Sequence, residues 1–196
     1  MQLKEGLKTY LKNIDNIETF HDTSAKDLIK NIRKDRREVR TKFFTFNYTN
    51  SIEELLDSEG AAIDDFEVVH IHGTIDKNII FGTEDLPAGQ KYEHYVFVQK
   101  SSGSYSPEYS IIHDIESADI VTFFGHSLGE SDKDYFRNLF GKYSHYSYMP
   151  KLIEIRVYFH NGEEGLERLE GRINTLTDGN LRVIKSKSNY QPIPIA

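Results

Sequence analysis

Asp119-Ile120-Val121-Thr122-Phe123-Phe124, followed at once by Gly125-His126-Ser127-Leu128-Gly129, decides how this chain is read. The first six residues are mostly apolar or β-branched and show no alternation of apolar and polar positions. Such a run predicts a central strand buried on both faces, as in a parallel sheet covered by helices. The abrupt change to Gly, His and Ser marks the strand's carboxyl end, where open parallel sheets bind their ligands.

Towards the C-terminus, Ser131 with Asp134 three residues on predicts a capped helix start. Tyr135, Phe136, Leu139, Phe140 and Tyr143 then share one helical face, a pattern of core packing. Leu152 to Phe159 predicts a strand, residues 163–174 a helix, and Leu181 to Ile184 a last strand. Gln191-Pro192-Ile193-Pro194 reads as a terminus that cannot continue a helix. Towards the N-terminus, Pro107 opens a helix to Ser117. Residues 83–105 are turn-rich around a short strand at Tyr95 to Val98, and Asn78 to Phe81 reads as another. Glu67 to His72 predicts a strand that stops at Gly73. Lys42 to Phe46 predicts one that ends in Asn47-Tyr48-Thr49-Asn50, before a helix at Ser51 to Leu56. Residues 1–41 read as polar and helical. Leu3, Leu7, Tyr10, Leu11 and Ile14 line one face of a first helix, and a second runs from Ser24, its N-cap, to Arg40. The expectation is one domain over 1–196, with a helical segment at 1–41 and an α/β core at 42–196. That core is a Rossmann-like, mostly parallel sheet with helices on both faces.

The chain has 196 residues, no cysteine, and a formal net charge of −7. Without cysteine there are no disulfides, thiolate metal sites or cysteine nucleophiles. The N-terminus lacks the apolar run of a signal peptide, and no stretch reaches the roughly 18–20 apolar residues of a membrane helix. A cytoplasmic protein with no membrane partner is expected. The acidic balance argues against nonspecific nucleic-acid binding. One weak exception is the basic stretch at 26–42: Lys26, Lys30, Arg33, Lys34, Arg36, Arg37, Arg40 and Lys42. It reads either as a solvated helix face or as a phosphate or RNA contact.

Three strands end in polar or small residues: Asn47-Tyr48-Thr49-Asn50, His72-Gly73, and Gly125-His126-Ser127. If these strands are neighbours, their ends converge on one crevice. His70 and His72, two apart in a strand, would share a face, and with Asp76 or His126 they form a loose metal pattern. No metal is expected. Gly125-His126-Ser127-Leu128-Gly129 also has the Gly-x-Ser-x-Gly spacing of a hydrolase elbow, which would make Ser127 a nucleophile served by His145 or His160. Glu130, Asp132 and Asp134 in the following first turn would repel a phosphate and suit capping or ribose hydroxyls better.

These residues carry a family resemblance. Thr45-Phe46-Asn47-Tyr48-Thr49-Asn50-Ser51-Ile52-Glu53 resembles the signature of the bacteriophage abortive-infection AbiH family, with its Asn-Tyr-Thr core. It is also similar to the Asn-Tyr-Asp and Asn-Ile-Asp motifs of sirtuin-like proteins. Val69-His70-Ile71-His72-Gly73 resembles the His-Gly motif that bears the sirtuin catalytic histidine, and Phe124 to Asp132 resembles the Gly-x-Ser turn. The resemblance spans residues 43–140. It implies a sirtuin-like fold, a role in phage defence, and nicotinamide adenine dinucleotide (NAD) as a bound or hydrolysed nucleotide. By residue, it implies that Asn47 holds the ribose or positions water and that His72 is the general base. Thr45, Tyr48, Thr49, Gly73, Gly125, His126, Ser127 and Asp132 would surround the nucleotide. The first 59 residues contain only Gly6, so the chain resembles the later part of the family domain, without an opening strand and Gly-rich turn. The alternative expectations are a non-catalytic interaction module or fragment, acting as a homo-oligomer or with a partner defence chain, and a serine hydrolase.

Overall fold

The computed structural model describes residues 2–15, 23–34, 41–60, 66–76, 79, 108–129, 135–136, 139–140 and 153–195. The chain divides into two compact units, Met1–Pro107 and Glu108–Ala196. Each is a mixed α/β unit with its own small parallel sheet. The strands expected at 78–81 and 95–98 lie outside the described residues, apart from Ile79, which is buried. Pro107, the capped start at Ser131 to Asp134, Tyr143 and His145 also lie outside them.

In the first unit, helices α1 (Gln2–Asp15) and α2 (Thr23–Lys34) precede strand β1 (Thr41–Thr45). Helix α3 (Ser51–Ser58) and strand β2 (Phe66–His70) follow. Helix α1 forms as its periodicity predicts, but Tyr10 is 61 % exposed and does not join an apolar face. Leu7 and Leu11 are half-buried. Helix α2 buries Ala25, Leu28 and Ile29 at i, i+3 and i+4 spacing. Ser24 lies inside this helix and not at its cap, because the helix begins one residue earlier, at Thr23. Residues 35–40 of the expected second helix lie outside the described set. Two cations of the basic stretch face carboxylates: Lys30 Nζ is 3.7 Å from Glu59 and Lys42 Nζ is 3.0 Å from Glu67. β1 and β2 pair in parallel, from Thr41 opposite Phe66 to Thr45 opposite His70. Parallel neighbours need a crossover, and the segment containing α3 provides it. Leu55 and Leu56 are the buried residues of α3.

In the second unit, helix α4 (Glu108–Ser117) leads into strand β3 (Ile120–Phe123). Strand β4 (Glu154–Phe159), helix α5 (Gly162–Leu176), helix α6 (Leu181–Lys187) and strand β5 (Asn189–Pro194) complete it. The sheet order is β3-β4-β5, all parallel. Two expectations are corrected here. Among the described strands β3 stands at the end of its sheet, and its burial rises from an exposed Ile120 to a buried Phe123. The central strand is β4, where Ile155 and Val157 are fully buried on one face. Burying each of these side chains contributes about 1.5–3 kcal/mol.

The second correction concerns the C-terminus. Leu181 to Ile184 is helical, and the last strand is the Pro-containing segment after it. Within α6, Ile184 points into the core. The prolines are tolerated because of register. Asn189 N–H donates to the Ile153 carbonyl and Ile195 N–H to the Phe159 carbonyl. Donors towards β4 therefore fall at odd positions, and Pro192 and Pro194 occupy those whose nitrogen faces away.

Of the helical face expected in the core, the four described residues, Tyr135, Phe136, Leu139 and Phe140, are buried. Phe123 packs edge-on to Phe136 at 5.2 Å and stacks on Phe140 at 5.8 Å. Among the described residues no helix is long and apolar enough to cross a membrane.

Candidate functional site

The loops that leave β1 and β2 are tied together at the carboxyl ends of the two strands. Ile71 N–H donates to the Thr45 carbonyl at 2.9 Å, and Ile75 N–H donates to the Tyr48 carbonyl at 2.9 Å. Thr45 closes the strand with a buried side chain whose hydroxyl accepts the Asn47 N–H at 3.1 Å. Thr49 and Ser51 share a hydroxyl–hydroxyl bond of 2.7 Å at the start of α3. Gly73 is buried with φ 76°, a conformation that favours glycine. Its N–H closes a turn on the His70 carbonyl at 3.3 Å.

Two of the three strand ends therefore meet, and the turns that bear Asn47 and His72 share one corner, where the Phe46 and Tyr48 rings on either side of Asn47 lie against His72. The Asn47 side chain is exposed. An asparagine after a strand commonly bonds its own turn backbone, but among the described residues the Asn47 carboxamide makes no such bond. His72 is half-buried, with its ring edge-on to Phe46 at 5.3 Å and 6.2 Å from the Tyr48 ring. Strand β2 ends at His70, two residues earlier than expected, so His72 sits in the turn. His70 and His72 consequently have different surroundings and do not form a pair on one strand face.

His70 has the more constrained place. Its side chain is 10 % exposed. Its Nδ1 donates to the Asn47 carbonyl at 3.1 Å, and its Nε2 lies 2.7 Å from Glu53 Oε1 on α3. Sequence reading passed over Glu53. Its spacing from Asn50 suits a capping box, yet the Asn50 side chain makes no cap bond and Glu53 turns to His70. Only the tertiary pairing of β1 with β2 brings Glu53 and His70, 17 residues apart, into contact. Among the described residues no group of three His, Asp or Glu side chains is arranged to hold a metal ion.

The turn after β3 belongs to the second unit. Gly125 has φ 64° and Leu128 φ 50°. His126 Nδ1 accepts the Leu128 N–H at 2.9 Å, and its ring packs edge-on to Phe136 at 5.0 Å. A ring used in this way holds the turn. Leu128 is buried, which keeps a non-glycine residue in the left-handed region. Ser127 is exposed, and its carbonyl accepts from Arg172 on α5. A hydrolase elbow places the strain at the nucleophile itself; here the left-handed residue is Leu128. Among the described residues no histidine or carboxylate bonds the Ser127 hydroxyl. Asp132 lies outside the described residues.

Fold and site together describe an α/β protein whose polar loops gather at the carboxyl ends of parallel strands. A family comparison is more specific: the family described as bacteriophage abortive infection AbiH matches residues 2–149. The chain belongs to that family. The match takes in α1 and α2 as well as the motifs at Asn47, His72 and Ser127. No curated protein and no solved structure matches the chain.

Proposed function

We propose that this chain acts in phage defence by binding and hydrolysing NAD at the corner formed by Asn47 and His72, within a sirtuin-like, Rossmann-type fold. The family supports the defence role. The observation that carries the chemistry is the exposed Asn47 carboxamide, held on an anchored backbone beside the turn that bears His72. Hydrolysis breaks the bond between nicotinamide and its ribose and forms one from water to the same carbon. Positive charge develops on the ribose as the bond breaks, as in glycoside hydrolysis. Asn47 orients the ribose or the attacking water. His72 takes a proton through a ribose hydroxyl, a task suited to an imidazole near neutral pH. Incubating purified protein with NAD and separating the products by chromatography tests this. Nicotinamide release is expected, with a loss of about 100-fold or more in Asn47→Ala and His72→Ala. Intact NAD and no heat of binding would end this reading.

A second reading, a non-catalytic module that pairs with another copy, draws on Ile120. This residue is 45 % exposed on β3, at the end of its sheet among the described strands, and exposed apolar strand edges attract partners. Light scattering of wild type and Ile120→Lys decides it: a dimer lost in the variant supports pairing, and a wild-type monomer removes it.

A further inference from the structure

We infer that His70 is a positioning residue for the Asn47 turn, with Glu53 holding its ring so that Nδ1–H points at the Asn47 carbonyl. The consequence for catalysis rests on the nucleotide reading above, whereas the positioning itself is a property of the fold and is measured separately.

Both backbone groups of Asn47 are held by side chains. Its N–H donates to the Thr45 hydroxyl at 3.1 Å. Its carbonyl accepts from His70 Nδ1 at 3.1 Å. The carboxamide between these anchors is left exposed. Side chains that must meet a ligand in one geometry need this kind of support from behind. Thr45 and His70 stand opposite each other as the last residues of β1 and β2, so the clasp is built on rigid strand ends.

The protonation follows from the partners. A carbonyl can only accept, so Nδ1 carries a hydrogen. Nε2 then faces Glu53 Oε1 at 2.7 Å. A neutral ring offers a lone pair there and needs a protonated carboxyl, whereas an imidazolium offers N–H to a carboxylate. Either way one proton lies on the Nε2–Oε1 axis and Nδ1–H stays aimed at Asn47. A neutral ring against an ionised carboxylate would oppose two lone pairs and break the contact. Among the described residues the second oxygen, Glu53 Oε2, is buried without a hydrogen-bond partner, so none of them offers Glu53 a competing bond to draw it from the ring.

The test pairs two substitutions at each position. His70→Leu fills volume without a donor, and His70→Asn keeps a donor near the Nδ1 position. Glu53→Gln can donate to Nε2, and Glu53→Ala cannot. Nitrogen-15 spectra of the full chain report the His70 ring protons and the amides of Asn47, Tyr48 and Thr49; nicotinamide release reports catalysis. His70→Leu should shift those three amides and lower kcat about 100-fold, with KM for NAD changed by less than about threefold. His70→Asn should restore the amides and most of the rate, and Glu53→Gln should outperform Glu53→Ala. A ring protonated only at Nε2, amides unmoved in His70→Leu, or equal behaviour of the Leu and Asn variants would overturn the inference. If His70→Leu does not fold, the Glu53 pair carries the same comparison. Wild-type protein that leaves NAD intact would sink the nucleotide reading alone, since the spectra still decide the positioning.

Discussion

At the scale of single residues, Tyr190 on β5 offers a test of burial without partners. Its hydroxyl is buried and, among the described residues, has no hydrogen-bond partner. Its ring carries the Lys185 ammonium at 5.7 Å. Burial disfavours the phenolate, and the nearby Glu170 carboxylate adds to this, so the phenol is held well above its ordinary value of 10.0. A raised folded value gives a stability contribution that is complete below the unfolded pKa and lost as pH climbs through and beyond it. Urea midpoints should therefore fall between pH 9 and pH 11 by more in wild type than in Tyr190→Phe. At neutral pH the phenylalanine variant removes only an unbonded hydroxyl. It should match wild type within about 1 kcal/mol or exceed it. A larger loss would mean that the hydroxyl has a partner.

At the scale of elements, two of the three glycines in helix α5 carry opposite expectations. A Cβ on Gly165 would lie 1.6 Å from the His160 carbonyl oxygen, a backbone atom that cannot rotate away. This close approach is set by Asn161, left-handed at φ 66°, which turns the chain from β4 into α5. Gly171 is exposed and would meet nothing within 4 Å. Gly165→Ala should cost about 3 kcal/mol or more, because the backbone must move. Gly171→Ala should stabilise by about 0.5–1 kcal/mol, the usual difference in helix propensity. Thermal unfolding of the two variants beside wild type checks both signs. The same region shows why α6 and β5 were hard to read. Leu181, Val183 and Ile184 suit a strand or a helix over so short a run, and proline argues against a strand unless its nitrogen faces away from the neighbour. That orientation depends on register with β4, which no local pattern contains.

At the scale of the whole molecule, the net charge of −7 and the pairing of Lys30 and Lys42 with carboxylates argue against a general nucleic-acid surface. Duplex DNA and RNA should bind more weakly than about 10⁻⁴ M at 150 mM salt, at or below the lower end of nonspecific affinities. Filter binding tests this, and micromolar binding that survives such salt would point to a basic contact on α2.

What the sequence determined by itself is the local part: the helices with regular apolar spacing, the presence of strands β1 to β4, the parallel α/β character, and the candidate loops at Asn47 and His72. These rest on periodicity and on the chemistry of residues next to one another in the chain. Only the tertiary structure decided that β4 is central to its sheet, that Pro192 and Pro194 are compatible with a strand, and that Glu53 and His70 clasp the Asn47 turn. Each of those depends on which strands are neighbours and in what register. Hydrogen bonds between distant residues are chosen by packing, and no spacing along the chain encodes them.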